Sequence, residues 1–265
     1  AGGDGTIRTV SSELAGSGIP FGLVAAGTGN LLARNLGVPL DETEAVRVAL
    51  DGHTAAIDLV RITVDDGTPE HFAVMAGIGI DAAILGGTDD HLKKAVGSAA
   101  YFVSAAQHVN HPPMEAKIRV DDGPQFRRRA LVMVVGNVGF LQGGIPLLPD
   151  ARADDGVLDL LVASPRTWRD KVSLTAKVLA RKDRSNEQLD RITAQKVEIT
   201  IAEPEDYQLD GDTIGSCRRV VFEVVPGALA LRMPSPEQAA VGEIPEAAAE
   251  IQRAAAEADR HGMAD

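Results

Sequence analysis

The spacing of apolar residues divides the chain into two regimes. Ile7, Val10 and Leu14 recur at helical intervals and predict a helix over 7–14, which Gly16 and Gly18 end. The run at 19–25 (IPFGLVA) is short and apolar, as suits a buried parallel strand. A glycine-rich turn at 26–30 follows, then a helix over 31–36. Asp41 and Glu42 head a further helix running to about Leu50, closed by Gly52. Turn, helix, strand, turn and helix in that order predict an open α/β sheet of parallel type.

From about residue 55 the period shortens. Segments at 55–64, 71–76, 116–120, 130–137, 157–163, 196–201 and 220–225 read as strands, several of them separated by short Asp/Gly turns. Only two helices interrupt, over 95–108 and from Arg169 to about Lys182. Strands in such a row predict an antiparallel sandwich. The fold class is therefore α/β plus β, with a Rossmann-like part over 1–53, a β-sandwich over 54–232 and an acidic tail over 233–265 able to pack back on the first part. That tail is rich in Ala and Glu, carries Pro234, Pro236 and Pro245, and ends in a short acidic helix over 246–260. Ala1-Gly2-Gly3-Asp4-Gly5-Thr6 is a turn that normally follows a buried strand, and here it opens the sequence. The first part thus reads as the later half of its domain, short of about 60 residues or two β-α units.

Composition removes several function classes. Hydrophobic residues make up 45% and charged residues 24%, the proportions of a folded globular chain. A net charge of −12 and an aromatic content of 3% disfavour nucleic acid, which needs a positive field and stacking platforms. Cys217 is the single cysteine, so there is no disulfide framework, and a reducing cytoplasm fits. No run approaches the roughly 20 apolar residues that span a bilayer, so membrane contact would be peripheral. The stretch 166–184 offers one route to it: Arg166, Arg169, Lys171, Lys177, Arg181, Lys182 and Arg184 gather there in an acidic protein. A solvated helix face is the plainer account of those residues.

The chemistry is carried by glycine turns and acids. Gly2, Gly3 and Gly5 let backbone approach a bulky anion, and the helix starting near Thr6 would point its N–H groups at it. Asp4 would repel phosphate unless it serves a cation or a proton. The alternative is a tight turn capped by Asp4. Gly27-Thr28-Gly29-Asn30 repeats the strand-to-helix turn, with Thr28 offering a hydroxyl and Asn30 a helix cap. Two such turns of one parallel sheet share an edge, where ligands bind. Neither is a Walker A loop, because no Gly-Lys-Ser/Thr follows. Further along, Asp210 and Asp212 in LDGD would face one side if the chain there is extended. An Asp-Gly hairpin is the competing reading. Asp81 lies in an apolar, glycine-rich stretch where an unpaired carboxylate costs several kcal/mol, which implies a partner or a solvated cap.

GGDGT at 2–6 followed by AAGTGNLLARNLGVP at 25–39 resembles the signature pair of the diacylglycerol, sphingosine and NAD kinase superfamily. AGIGIDAAI (76–84), GNVGFLQGG (136–144), PDARADDGVLDLLV (149–162) and LDGD (209–212) favour its lipid branch and come in the family's order. Ala26 departs from the usual Pro, and Asp212 from the commoner Glu. The resemblance implies an ATP-dependent lipid kinase of the diacylglycerol kinase type. On that basis Gly2, Gly3, Asp4, Gly5, Thr6, Gly27, Thr28 and Asn30 would hold ATP, with Asp4 near the transferred phosphate and Mg²⁺. Asp212 would accept the hydroxyl proton with Asp210 as its partner, and Asp81 would bind the lipid headgroup. Asp155, with the main-chain carbonyls of Arg152 and Val157, would hold a structural Mg²⁺; from the residues alone Asp154-Asp155-Gly156 is an ordinary turn. The implied partners are ATP and a lipid alcohol such as diacylglycerol, with a homodimer left open. NAD or a sphingoid base as acceptor, and a non-catalytic lipid-binding fragment, remain alternatives.

Overall fold

Helices form where an amphipathic stretch lies between breakers. α1 (Asp4–Leu14) buries Ile7 and Ser11, and Asp4 in its first turn complements the helix dipole. α2 (Leu31–Leu36) is short and is flanked by Asn30 and Gly37, both in the left-handed region. α3 (Glu42–Asp51) starts at Asp41, whose Oδ1 accepts the Glu44 N–H at 3.0 Å, and turns Ala45 and Val48 inward. In this computed structural model the described residues are 1–79, 112–142, 144–164 and 189–235. The expected helices over 95–108 and 169–182, the basic residues of 166–184, Asp81 and the tail beyond 235 lie outside them.

The segment at 19–25 forms two isolated parallel bridges, Gly2 to Ala25 and Phe21 to Leu231, rather than the expected ladder strand. Pro20 lacks a donor and Gly22 a side chain, so the run has little with which to extend a ladder. It still joins the opening turn to the end of the sheet.

Among the described residues twelve strands follow. They are β1 (His53–Val64), β2 (Glu70–Phe72), β3 (Met75–Ile78), β4 (Met114–Val120), β5 (Phe126–Ala130), β6 (Val132–Gly136), β7 (Phe140–Leu141), β8 (Ile145–Pro146), β9 (Leu158–Ala163), β10 (Leu189–Ala194), β11 (Lys196–Leu209) and β12 (Asp212–Met233). The single strand expected at 71–76 is two, because Ala73 and Val74 turn away to meet a buried acid described below. β7 and β8 pair by themselves; the other ten form one sheet in the order β10-β9-β6-β3-β11-β12-β1-β2, with β4 on β11 and β5 on β4. All its ladders are antiparallel. β11 is the branch point. Along one side it meets β12, and on the other β4 takes 197–201 while β3 takes 207–209. A register break between Thr200 and Glu205 separates the two arms, which lets one sheet fold into two leaves.

Two apolar clusters result. Among the described residues, one is built from strand residues alone, including Ile62, Phe72, Ile118, Met133, Leu160, Val197 and Phe222. Phe72 and Phe222 meet edge to face with centroids 6.2 Å apart, a pairing worth about 0.5–1.5 kcal/mol beyond its area. The other joins Ile7, Leu32 and Leu36 of the helices to Ile57, Leu59, Val134, Leu161 and Leu229 of the sheet. β6 sends Met133 and Val135 to the first cluster and Val134 to the second. A strand buried on both faces reads as a continuous apolar run, and VMVVG does so.

Candidate functional site

The two glycine turns touch through backbone. The Gly2 N–H donates to Val24 O at 3.1 Å and the Ala26 N–H to Gly2 O at 3.0 Å. A Cβ on Gly27 would lie 2.6 Å from the Gly3 Cα, so only glycine permits this approach. Asn30, at φ 50°, closes the second turn from within: its Oδ1 accepts the Gly27 N–H at 2.9 Å and its Nδ2 donates to Gly27 O at 2.8 Å. That use of its side chain corrects the expected helix-cap role of Asn30. The cap of α2 comes instead from the other turn, where Asp4 Oδ1 accepts the Leu31 N–H at 2.7 Å. The N-terminal ends of α1 and α2 are thus joined by one carboxylate. Thr6 and Thr28 are exposed beside it, and Gly2, Gly3 and Gly5 are half-buried.

Residues from the sheet part wall the second turn. Gln142 Nε2 donates to Thr28 O at 3.3 Å. Asn35 ties α2 to β7, its Oδ1 accepting the Phe140 N–H at 2.9 Å and its Nδ2 donating to Phe140 O at 2.8 Å. Asn35 and Gln142 were visible only as members of longer motifs, with no spacing of their own to mark them.

The acids at 210 and 212 do not share one side of an extended chain. Asp210 and Gly211 have φ of 50° and 95° and form a two-residue turn between Leu209 and Asp212, which pair. Positive φ at both positions is the type I′ hairpin that Asp-Gly favours. The two carboxylates consequently diverge. Asp210 turns inward, where its Oδ1 accepts the Val74 and Met75 N–H groups at 3.1 and 3.0 Å, and its Oδ2 the Ala73 N–H at 3.5 Å. Burial pushes its pKa up to about 6, opposed by these amides and by the charge of Arg8. Asp212 turns outward to α1: its Oδ2 is 2.9 Å from where a Cβ of Gly5 would stand and 3.3 Å from Arg8 Nη2. Burial raises the Asp4 pKa, against the N–H groups at the head of α2, and the Asp212 charge adds to the rise. Asp4 and Asp212 therefore sit on one rim above the first glycine turn. Arg8 was passed over in the sequence. Its position four residues after Asp4, on the same helix face, was the available signal.

The loop before β9 holds a second acidic group. Arg152 Nε pairs with Asp154 Oδ1 at 3.1 Å, and Asp155 Oδ1 accepts the Val157 N–H at 3.2 Å. Asp155 is exposed at the loop surface, yet partial burial of its carboxyl group and the charges of Asp159, Asp58 and Asp154 push its pKa up to about 6, against the Val157 N–H. Asp58, 3% exposed, stands at the break in the β1 register and binds the loop to β12. Its Oδ2 accepts the Gly156 N–H and its Oδ1 the Gly227 N–H, each at 2.7 Å. A lone acid inside the apolar run of β1 was the signal that could have found it. Among the described residues no three His, Cys, Asp or Glu side chains converge as ligands. A dication here would therefore rest on the Asp155 carboxylate and main-chain oxygens. The crowding of half-buried carboxylates around Asp155 fits a hard cation, which would relieve their repulsion.

Comparison with known proteins bears on both parts. Residues 1–62 match the diacylglycerol kinase catalytic domain, and residues 73–233 match the YegS C-terminal NAD kinase beta sandwich-like domain. A probable YegS-like lipid kinase of Klebsiella pneumoniae is 30% identical over 236 residues, 88% of this chain and 76% of that protein. One from Pectobacterium atrosepticum is 31% identical over 242 residues, 88% and 77% of the two chains. A diacylglycerol kinase of Mycobacterium tuberculosis is 30% identical over 164 residues, 61% and 53%. The crystal structure of a putative diacylglycerol kinase from Bacillus anthracis superposes with a TM-score of 0.67 at 25% identity, over 89% of this chain and 77% of the other.

Proposed function

The chain belongs to the family of YegS-like lipid kinases and diacylglycerol kinases, and from that premise we propose that it transfers the γ-phosphoryl group of ATP to the hydroxyl of diacylglycerol, giving phosphatidic acid. The observation that carries this reading is the meeting of Asp4, Asp212 and the two glycine turns on one rim. The reading divides the chain into a nucleotide part over 1–53 and a lipid part over 54–232.

The triphosphate lies along the turns at 2–6 and 27–30, with the positive end of α1 facing its oxygens. Glycine at 3 and 27 lets the two turns close on each other, which brings the backbone of both to one rim for the anion. The lipid hydroxyl approaches from the sheet part towards Asp212. The Asp212 carboxylate accepts the hydroxyl proton as the oxygen attacks the γ-phosphorus and ADP leaves with the bridging electron pair. Asp210 supports the turn from below and touches no reactant. Mg²⁺, when bound with ATP beside Asp4, neutralises charge on the phosphates. No covalent intermediate is needed, since positioning and charge neutralisation account for transfer. A water-insoluble acceptor requires contact with a membrane surface, and among the described residues no helix is long and apolar enough to cross one.

The test uses the complete protein, diacylglycerol vesicles and radiolabelled ATP. Asp4→Asn keeps an oxygen for the Leu31 N–H and Asp212→Asn keeps the shape of the turn. Each is expected to lower transfer by at least ~100-fold while still melting cooperatively, within about 4 °C of wild type. Wild-type-like transfer in either variant overturns the assignment. Phosphorylation of NAD in detergent-free buffer, with none of lipid, would redirect it to a soluble acceptor.

A further inference from the structure

Arg8 links the two parts at the place where the reaction is assigned. It lies on the second turn of α1, one turn behind the glycines, and its side chain is 15% exposed. Nη1 donates to Leu209 O at 2.5 Å, and Nη2 faces Asp212 Oδ2 at 3.3 Å. One planar guanidinium thereby holds the residue before the Asp210-Gly211 turn and the residue after it. Asp210 anchors that turn to β3 from the other side, through the amides of 73–75. Between them the hairpin tip is fixed at both flanks. The Asp212 side chain itself is 57% exposed, so without Arg8 it would rotate through several rotamers. No other hydrogen bond or ion pair of the Asp212 side chain occurs among the described residues.

We propose that Arg8 is a positioning residue of the transfer reaction, holding Asp212 Oδ2 over the head of α1 and leaving Oδ1 for the acceptor hydroxyl. The inference rests on the lipid kinase reading and deepens it. It assigns Arg8 neither a nucleotide contact nor a proton. A guanidinium suits the task because its forked donors lie in one plane and reach a carbonyl and a carboxylate together, whereas an ammonium is a point charge on a freely turning stem. Misplacing a reacting group by about 1 Å costs roughly 100-fold in rate.

The experiment compares wild type, Arg8→Met, Arg8→Lys, Asp212→Asn and the Arg8→Met/Asp212→Asn double variant in the complete protein. It reads kcat, the KM for ATP and for a short-chain diacylglycerol, and Tm. Arg8→Met is expected to lose roughly 100-fold in kcat, with the KM for ATP within about threefold of wild type. Arg8→Lys recovers part of that loss but not all. The Tm shifts of the two single variants do not sum to that of the double variant, because both weaken the Arg8–Asp212 contact. A kcat within threefold of wild type in Arg8→Met overturns the proposal. So does a loss confined to the KM for ATP, which would make Arg8 a nucleotide ligand, or full rescue by lysine, which would make the charge alone sufficient. If wild type phosphorylates no lipid, the lipid kinase reading fails first. In that case additive Tm shifts would overturn the Arg8 link as well, and non-additive shifts would uphold it.

Discussion

Gln208 is 1% exposed, yet among the described residues neither its Oε1 nor its Nε2 has a hydrogen-bond partner. Its cross-strand neighbours are Gly77, which has no side chain, and Thr213. A buried amide left unsatisfied costs about 1–3 kcal/mol. Gln208→Leu, similar in volume and without polar atoms, is expected to raise stability by about 1 kcal/mol, or about 2–4 °C in Tm. A thermal melt checks this; a lower Tm would mean that the amide is satisfied in solution. Nothing in the sequence announced this residue, because Tyr207, Gln208 and Leu209 alternate as any half-buried strand does. Arg8 and Asp58 each stood in a local pattern that could have marked them, but what they bind was not legible. Their side-chain partners lie 98 or more residues away, and local patterns carry no record of that. Asp4 and Asp212 were legible as acids because glycines mark their surroundings, whereas the divergence of the Asp210 and Asp212 carboxylates was not. It depends on a turn whose φ values reverse the expected direction of one side chain.

At the scale of elements, the glycine turns and α1 to α3 were readable from the sequence, since breakers and apolar spacing are local. The strands were readable only where they are buried. β5 (FRRRA) and β10 (LDRITA) were missed: each pairs on one side only, and edge strands tolerate charges that hide the period. β12 was expected to be short but runs from Asp212 to Met233. Pro226 and Gly227 lie inside it and read as an end. They occupy instead the break at which Asp58 crosses from β1, with Gly227 at φ 60°. The contact between turns gives an element-scale prediction. In Gly27→Ala the new methyl would press on the Gly3 backbone at 2.6 Å, and the two turns must separate. Because the displaced part is main chain, it cannot swing aside as a flexible side chain could. ATP affinity by calorimetry should fall at least tenfold, about 1.4 kcal/mol, while the remote apolar cluster of Phe72 and Phe222 stays intact. Unchanged affinity would mean that the second turn does not meet the nucleotide.

For the molecule as a whole, the question is what keeps the loop at 152–157 attached to the sheet while carrying so much negative charge. Asp58 supplies the attachment, binding Gly156 and Gly227 through its two oxygens and Ala153 through its own N–H at 2.6 Å. Asp155 carries the uncompensated part. Its pKa of about 6 lies above the ordinary 3.8, so the folded protein holds a proton there more tightly than the unfolded chain does. Without a cation, its contribution therefore favours folding below pH 4 and is lost as pH rises towards and past 6. A dication reverses that dependence, because it binds the ionised carboxylate and competes with the proton. Millimolar MgCl₂ should therefore raise Tm at pH 7.5, with a smaller effect at pH 5, and EDTA should return Tm to its starting value. Asp155→Asn should remove the Mg²⁺ response and also flatten the decline in Tm between pH 4 and 7, since the titrating group is gone. A Tm that responds equally to Mg²⁺ in wild type and Asp155→Asn would place the cation elsewhere and leave the loop dependent on Asp58 alone.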